Sequence, residues 1–275
     1  MSSATATAAS KLRQSAVVVE IGGVPIRLRC DNAVFLEQIE ERYAGDVSSS
    51  GYAVFDFEIH LAPQDNASGD GEPEVTWESG RWLMKRGDLR AEWNPSSLQG
   101  TIEQPINPFS LDSVLRILRT LLLAREGGFL LHASSAIRNG SAFLFSGGSG
   151  AGKTTMARVA PADVAVLTDE VSYVTRTDHE YFAVGTPFCG GLARVGANER
   201  APIEGLYLLA KGPENKIEPI AGAEAVRALL RNVLFFALEP DFVEMVFDAA
   251  VDFVDRVPIR RLTFTPDFRV WEMLV

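Results

Sequence analysis

The sequence predicts an α/β chain, α+β over its whole length, in which a small β-rich α+β unit precedes a larger α/β domain. Three observations lead there. Short runs rich in Val, Ile, Phe and Trp, parted by Gly, Asn and Asp, fill the first hundred residues or so. An apolar helical pattern then runs from Leu111 to Arg125. Beyond it, a strand, a glycine-rich loop and a helix follow one another across Ala142–Ala160. On this reading residues 1–15 are a disordered lead-in, 16–107 the small unit and 108–275 the larger domain.

In the small unit, Val17–Ile21 and Val24–Leu28 flank Gly22-Gly23, a hairpin turn signal. Ala33–Tyr43 follows as a short helix, with Phe35, Leu36, Ile39 and Tyr43 spaced for one buried face. Tyr52–Leu61 reads as a strand, Gln64–Pro73 as an exposed loop, and Glu74–Trp77, Arg81–Lys85 and Leu89–Trp93 as further strands. The larger domain opens with the Leu111–Arg125 helix, which Ser110 can cap and Gly127-Gly128 end. Strands at Phe129–Ala136 and Ala142–Ser146 follow, joined by the hairpin signal Asn139-Gly140. Strands are expected at Val164–Thr168, Val171–Thr175, Tyr181–Gly185, Leu206–Leu209 and Arg261–Phe264, and helices at Ala223–Phe236 and Phe242–Val254.

Apolar content of 47% with 23% charged residues suits a globular protein with a sizeable core. The formal net charge of −10 argues against a general nucleic-acid or anionic-membrane partner. The most hydrophobic stretches, around Val114–Ala124 and Val233–Val254, are broken by Arg116, Arg119, Glu239, Asp241, Glu244 and Asp248, so neither reads as a membrane span. Met1–Ser10 lacks the apolar segment of a signal peptide. Cys30 and Cys189 lie far apart, which speaks for a reducing compartment; the expected location is the cytoplasm.

Gly147-Gly148-Ser149-Gly150-Ala151-Gly152-Lys153-Thr154 fits the phosphate-binding loop pattern G-x-x-x-x-G-K-[ST]. The apolar run Ala142–Phe145 leads into it and Thr155–Ala160 starts a helix after it, the context such a loop requires. Glycines let the backbone turn its N–H groups inward, and the helix N-terminus adds partial positive charge, so phosphate oxygens would be bound from Gly147 through Thr155. Lys153 would reach the β- and γ-phosphates of ATP, and the Thr154 hydroxyl would ligate Mg²⁺. The placement is unusual: the loop follows the second strand of a hairpin rather than the first strand of a parallel array.

Asp169-Glu170 ends the apolar strand Val164–Leu167, sixteen residues after Lys153. Adjacent carboxylates there suit a Mg²⁺ ligand and a group that orients or deprotonates a nucleophile; an ordinary acidic turn is the plainer alternative. His132 sits in the apolar run Phe129–Ala133, either as a buried histidine satisfied by one hydrogen bond or beside the loop in an active site. His60 and His179 have no comparable context. The segment Gly185–Arg200 carries four glycines and the arginines Arg194 and Arg200. It reads either as a solvated connection or as a loop covering a phosphate site, from which Arg194 would meet charge on a transferred phosphoryl group. Cys189, with no basic neighbour, reads as a packed side chain.

Taken together, Leu131-His132-Ala133-Ser134, the hairpin, Gly147–Thr154 and Leu167-Thr168-Asp169-Glu170-Val171 resemble the C-terminal catalytic domain of HPr kinase/phosphorylase. The likeness is closer to HPr-kinase-related proteins outside sugar-transport regulation, including those that phosphorylate ribosomal peptides, and covers roughly residues 110–275. It implies a fold related to phosphoenolpyruvate carboxykinase, with the loop on a mixed sheet. It implies also that Lys153 and the glycines hold the phosphates, Thr154 binds Mg²⁺, Asp169 is the base toward the acceptor hydroxyl, and His132 lies near the reacting phosphate. The family usually shows two aspartates where this chain has Asp169-Glu170, which keeps charge but changes reach. Its Glu-x-Arg-Gly signature is absent, with Gly190-Gly191-Leu192-Ala193-Arg194 in that neighbourhood. These departures point away from HPr as acceptor and from the phosphorylase direction.

The residues thus suggest an ATP- and Mg²⁺-dependent kinase acting on a serine of a non-HPr protein or peptide. A small-molecule kinase with the same site, and a nucleotide-binding regulatory module with little catalysis, remain the alternatives. The small unit would serve partner recognition, acceptor placement or homo-oligomer contacts.

Overall fold

The computed structural model describes residues 16–63, 71–87, 89–188, 190–192 and 196–274. The lead-in, most of the Gln64–Pro73 loop, Cys189 and Arg194 therefore lie outside the described residues. The fold is mixed α/β with two mixed sheets. The chain clusters into two compact units, one ending at Arg119 and reclaiming Phe236–Glu239, the other comprising Thr120–Phe235 and Pro240 onward.

The first unit holds a sheet of seven strands among the described residues. Their chain order is β1 (Ala16–Ile21), β2 (Val24–Arg29), β3 (Phe55–Leu61), β4 (Glu74–Glu78), β5 (Arg81–Arg86), β6 (Leu89–Asn94) and β7 (Gln99–Gln104). Across the sheet they run β1-β2-β3-β7-β6-β5-β4. β3 pairs parallel with both β2 and β7, and the other neighbours are antiparallel. Gly22 and Gly23 both take positive φ, as the two-residue β1–β2 turn requires. β3 alternates Phe55, Phe57 and Ile59 inward with Asp56, Glu58 and His60 outward, the period-2 pattern of a sheet with one covered face. Helix α1 (Ala33–Arg42) starts where the Asn32 side chain accepts the Phe35 N–H, and buries Phe35, Leu36 and Ile39. β7 was not expected: its only large apolar residue is Ile102, yet it fills the gap between β3 and β6.

Helix α2 (Ser110–Arg125) ends at Gly127, whose φ is +73°. The second unit then assembles a ten-stranded mixed sheet among the described residues. Strands β8 (Phe129–Leu131), β9 (Ala133–Arg138) and β10 (Ser141–Ser146) come first, with β9 and β10 forming the expected hairpin around Asn139-Gly140. The loop helix α3 (Lys153–Arg158) follows, then β11 (Ala165–Thr168), β12 (Ser172–Thr177), β13 (Glu180–Val184) and the long β14 (Arg200–Lys211). After these come β15 (Lys216–Ile220), α4 (Gly222–Leu230), β16 (Val233–Leu234), α5 (Pro240–Arg256), β17 (Ile259–Phe264) and a 3₁₀ turn at Phe268–Met273. β14 pairs parallel with β10 along one edge; along the other it pairs antiparallel with β13 near its start and parallel with β17 near its end.

β10 is buried on both faces and explains the core. Ala142 and Leu144 join a cluster with Leu131, Leu206, Ala225, Leu229, Ala249, Ala250 and Phe253, beneath α4 and α5. Phe143 and Phe145 face the other way, against Met156, Tyr207, Phe264, Val270 and Trp271. The strand that delivers the glycine-rich loop is thereby clamped from two sides. The expected helix over Ala223–Phe236 stops at Leu230, and of its remaining residues Val233 and Leu234 pair with Leu131 and Leu130 instead. Among the described residues no helix is long and apolar enough to cross a membrane.

Candidate active site

The single strand expected over Phe129–Ala136 is two strands, broken at His132. β8 pairs with β12, and β9 pairs with β11, so the line β8–β9 runs antiparallel to the line β11–β12. Pairing lapses between Ser135↔Thr168 and Leu131↔Ser172. His132–Ser134 on one line therefore stand opposite Asp169–Val171 on the other. Local sequence gives no sign of the break, because the residues on both sides are apolar; tertiary pairing sets it. Ser172 closes it from the inside, its hydroxyl bonded to the Ala133 carbonyl at 3.0 Å and to Ser135 Oγ at 2.9 Å.

His132 is anchored through its backbone. Its N–H donates to the Asn232 carbonyl at 2.8 Å, and its carbonyl accepts the Ser146 hydroxyl at 2.8 Å. Ser146 is the last residue before the glycine-rich loop, so the loop's entry strand is tied to the break. Burial, and then the charge of Lys153, hold the His132 imidazole below its ordinary range, so the ring is neutral near pH 7.

The loop enters with Gly147 at φ +155° and reaches the α3 N-cap at Gly152 with φ +117°. Gly152 is glycine for two reasons: this backbone region is left-handed, and an added Cβ would stand 2.7 Å from Cζ of Phe264. Lys153 is buried and donates to the carbonyls of Gly147 at 2.9 Å and Gly148 at 3.3 Å, so its ammonium spans the loop. Burial lowers its pKa while the negative charge of Glu170 acts in the opposite sense, which brings Glu170 into the loop's electrostatics. The Lys153 carbonyl accepts the Ser134 hydroxyl at 3.1 Å, a second tie between loop and strand break. Among the described residues, the N–H groups of Lys153, Thr154 and Thr155 donate to no backbone carbonyl. They are the open donors of a helix start.

Asp169 is buried, and both its oxygens are engaged by backbone. Oδ1 accepts the Gly190 N–H at 2.9 Å and Oδ2 the Leu192 N–H at 2.8 Å. Gly191, between them, lies against Thr154, with the position of an added Cβ 3.5 Å from Thr154 Oγ1. Thr154 and Asp169 thus flank the Gly190–Gly191 segment. Lys153, Thr154, His132, Asp169 and Glu170 are brought near one another where the β10 terminus meets the paired strand breaks. Arg194 lies outside the described residues. His60 and His179 are exposed, His60 facing Glu58 and His179 beside Arg176. Residues that sequence reasoning missed are Ser134, Ser146 and Asn232, which act through hydroxyls or backbone, and Gly190 and Leu192, which act through N–H groups that every residue type but proline carries.

Mg²⁺ fits this donor set. It takes one or two carboxylates and fills its remaining positions with phosphate oxygens and water. Asp169, Glu170 and Thr154 offer oxygen donors of the kinds this ion takes, with the Gly190–Gly191 backbone standing between Asp169 and Thr154.

A family model described as ScmC, SynChlorMet cassette protein ScmC, matches residues 97–274. Among solved structures, the chain is similar to the Hpr(Ser) kinase/phosphatase from Coxiella burnetii at 10% identity, over 53% of this chain and 85% of that one, with a TM-score of 0.29. No curated protein matches it.

Proposed function

This chain belongs to the ScmC family, and we propose that it works as an ATP- and Mg²⁺-dependent phosphotransferase acting on a hydroxyl, a serine of a protein or peptide. One observation carries the reading above all: the Gly190–Leu192 backbone holds the buried carboxylate of Asp169 and lies at Gly191 against Thr154, next to Lys153. A glycine-rich loop serving only as a turn needs no buried acid beside its Lys-Thr pair.

On this reading the N–H groups at the start of α3 and the Lys153 ammonium hold the β- and γ-phosphates of ATP. Thr154 and Asp169 would hold Mg²⁺ with Glu170 beside them, and the ion would supply positive charge to offset that of the phosphates. The acceptor oxygen forms a bond to the γ-phosphorus as the bond from that phosphorus to the β–γ bridging oxygen breaks, and ADP leaves. Asp169 takes the acceptor proton. Neutral His132 contributes a hydrogen bond near the reacting phosphate without adding a second positive charge beside Lys153. Arg194 is proposed to meet charge on the phosphoryl group in flight, so its loss should lower turnover more than ATP affinity.

The departures at Glu170 and at Gly190–Arg194 from the HPr-kinase pattern favour an acceptor other than HPr and forward transfer alone. The test is transfer from γ-labelled ATP, with Mg²⁺, to whole-lysate protein and to purified HPr. Label on a serine of a non-HPr protein, absent with Asp169→Asn, supports the proposal. Efficient phosphorylation and dephosphorylation of HPr would defeat its acceptor assignment, and no Mg²⁺-dependent ATP binding at all would defeat the nucleotide assignment.

A further inference from the structure

We propose that the backbone of Gly190 and Leu192 positions the Asp169 carboxylate for the transfer step, and that residue 190 has to be glycine for this purpose. The inference rests on the phosphotransferase reading and assigns that site two positioning residues that carry no functional side chain.

Three observations support it. The two N–H groups approach the carboxylate as a fork, one on each oxygen, at 2.9 Å from Gly190 and 2.8 Å from Leu192. A carboxylate gripped at one oxygen can swing about its χ2 torsion; gripped at both, its plane is fixed and its remaining lone pairs keep one direction. Next, an added Cβ at Gly190 would stand 2.9 Å from both Asp169 oxygens and 2.8 Å from Glu170 Cβ. No real Cβ is tolerated that close to fixed atoms, so any other residue at 190 must push the carboxylate or the Glu170 backbone aside. The demand is steric, set by these close approaches. Last, Gly191 continues the segment toward Thr154, whose Oγ1 and Cγ2 an added Cβ would meet at 3.5 Å. The same three residues therefore fix the acid relative to the loop's hydroxyl, the relation on which joint use of the two groups depends. Outer hydrogen bonds of this kind orient the groups that touch the reacting atoms, and removing them typically costs about 10- to 100-fold in affinity or activity.

The experiment uses the full chain in three measurements. Amide hydrogen exchange at Gly190 and Leu192 is compared between the wild type and Asp169→Ala. Mg²⁺-ATP affinity is measured by calorimetry. Steady-state ATP hydrolysis, with water as acceptor, gives kcat and KM for Gly190→Ala and for Leu192→Pro, which deletes one N–H donor without adding bulk at 190. The expected result is faster exchange at both amides in Asp169→Ala. Both backbone variants should also lose roughly 10- to 100-fold in kcat with KM for ATP changed no more than about twofold. Equal exchange in the wild type and Asp169→Ala would overturn the contact. A wild-type kcat in folded Gly190→Ala would overturn the positioning role, as would a loss confined to thermal stability. Failure of the wild type to bind Mg²⁺-ATP would instead remove the reading on which the proposal rests, while the exchange comparison still decides the contact.

Discussion

Gly152 sits against the ring of Phe264: a single methyl group on the one would come within 2.7 Å of Cζ of the other. The glycine-rich loop is thus seated on the last strand of the second unit, some hundred residues downstream. Gly152→Ala combines this overlap with a left-handed φ and is expected to cost at least about 2 kcal/mol. It should also weaken ATP binding tenfold or more. Adding Phe264→Leu should recover part of the stability, because the ring is removed while the backbone strain stays. Urea unfolding of both variants checks this; equal stability of Gly152→Ala and the wild type would refute it.

Lys153 spans the carbonyls of Gly147 and Gly148, and its ammonium is the loop's one charged side chain. Lys153→Ala is expected to weaken ATP roughly 10- to 100-fold, the loss of a charge-assisted contact of about 1.5–3 kcal/mol. Calorimetric titration with Mg²⁺-ATP reads this directly. An unchanged affinity would remove the loop from the nucleotide site.

Asp169→Asn keeps the shape of the side chain and one acceptor oxygen, but turns an NH₂ group toward a backbone N–H. The variant should fold and bind ATP, while transfer falls by about 100-fold or more. Turnover at the wild-type level would move the proton-accepting role to another group, with Glu170 adjacent.

How much of this was legible depends on whether side chains or backbone carry the information. The β1–β2 and β9–β10 hairpins, α1, α2 and the Gly147–Thr154 loop follow from turn residues and apolar spacing, which act locally. β7 escaped because Gln99, Thr101, Glu103 and Gln104 give a polar pattern, and only its place between β3 and β6 makes it a strand. Val233 and Leu234 continue a helical spacing but find strand partners in β8. In the site, the sequence put Lys153, Thr154, Asp169, Glu170 and His132 forward as residue types. It could not show that His132–Ser134 and Asp169–Val171 are opposing lapses in pairing, since pairing partners are distant in sequence. Nor could it show that N–H groups of Gly190 and Leu192 hold Asp169, since backbone donors leave no residue signature.

Asp46, in the first unit, offers a test that is independent of catalysis. It lies in the segment after α1, where its N–H donates to the Tyr43 carbonyl and its own carbonyl accepts the Glu20 N–H. Burial, reinforced by the Glu20 charge and opposed by Arg42, raises its carboxyl from 3.8 to about 6. The folded state therefore holds this proton more tightly than the unfolded chain does. Its stabilising contribution is fully present below about pH 4 and is lost as the pH rises through 6. A two-unit shift bounds the effect at about 3 kcal/mol. Asp46→Asn cannot ionise, so the variant should be less sensitive than the wild type to the rise from pH 4.5 to 7, and the stability difference in its favour should grow across that interval. Urea midpoints read from the buried Trp82 and Trp93, both in the first unit, report on the right region. Parallel pH profiles for variant and wild type would show that Asp46 ionises equally in both states, and would refute the raised carboxyl.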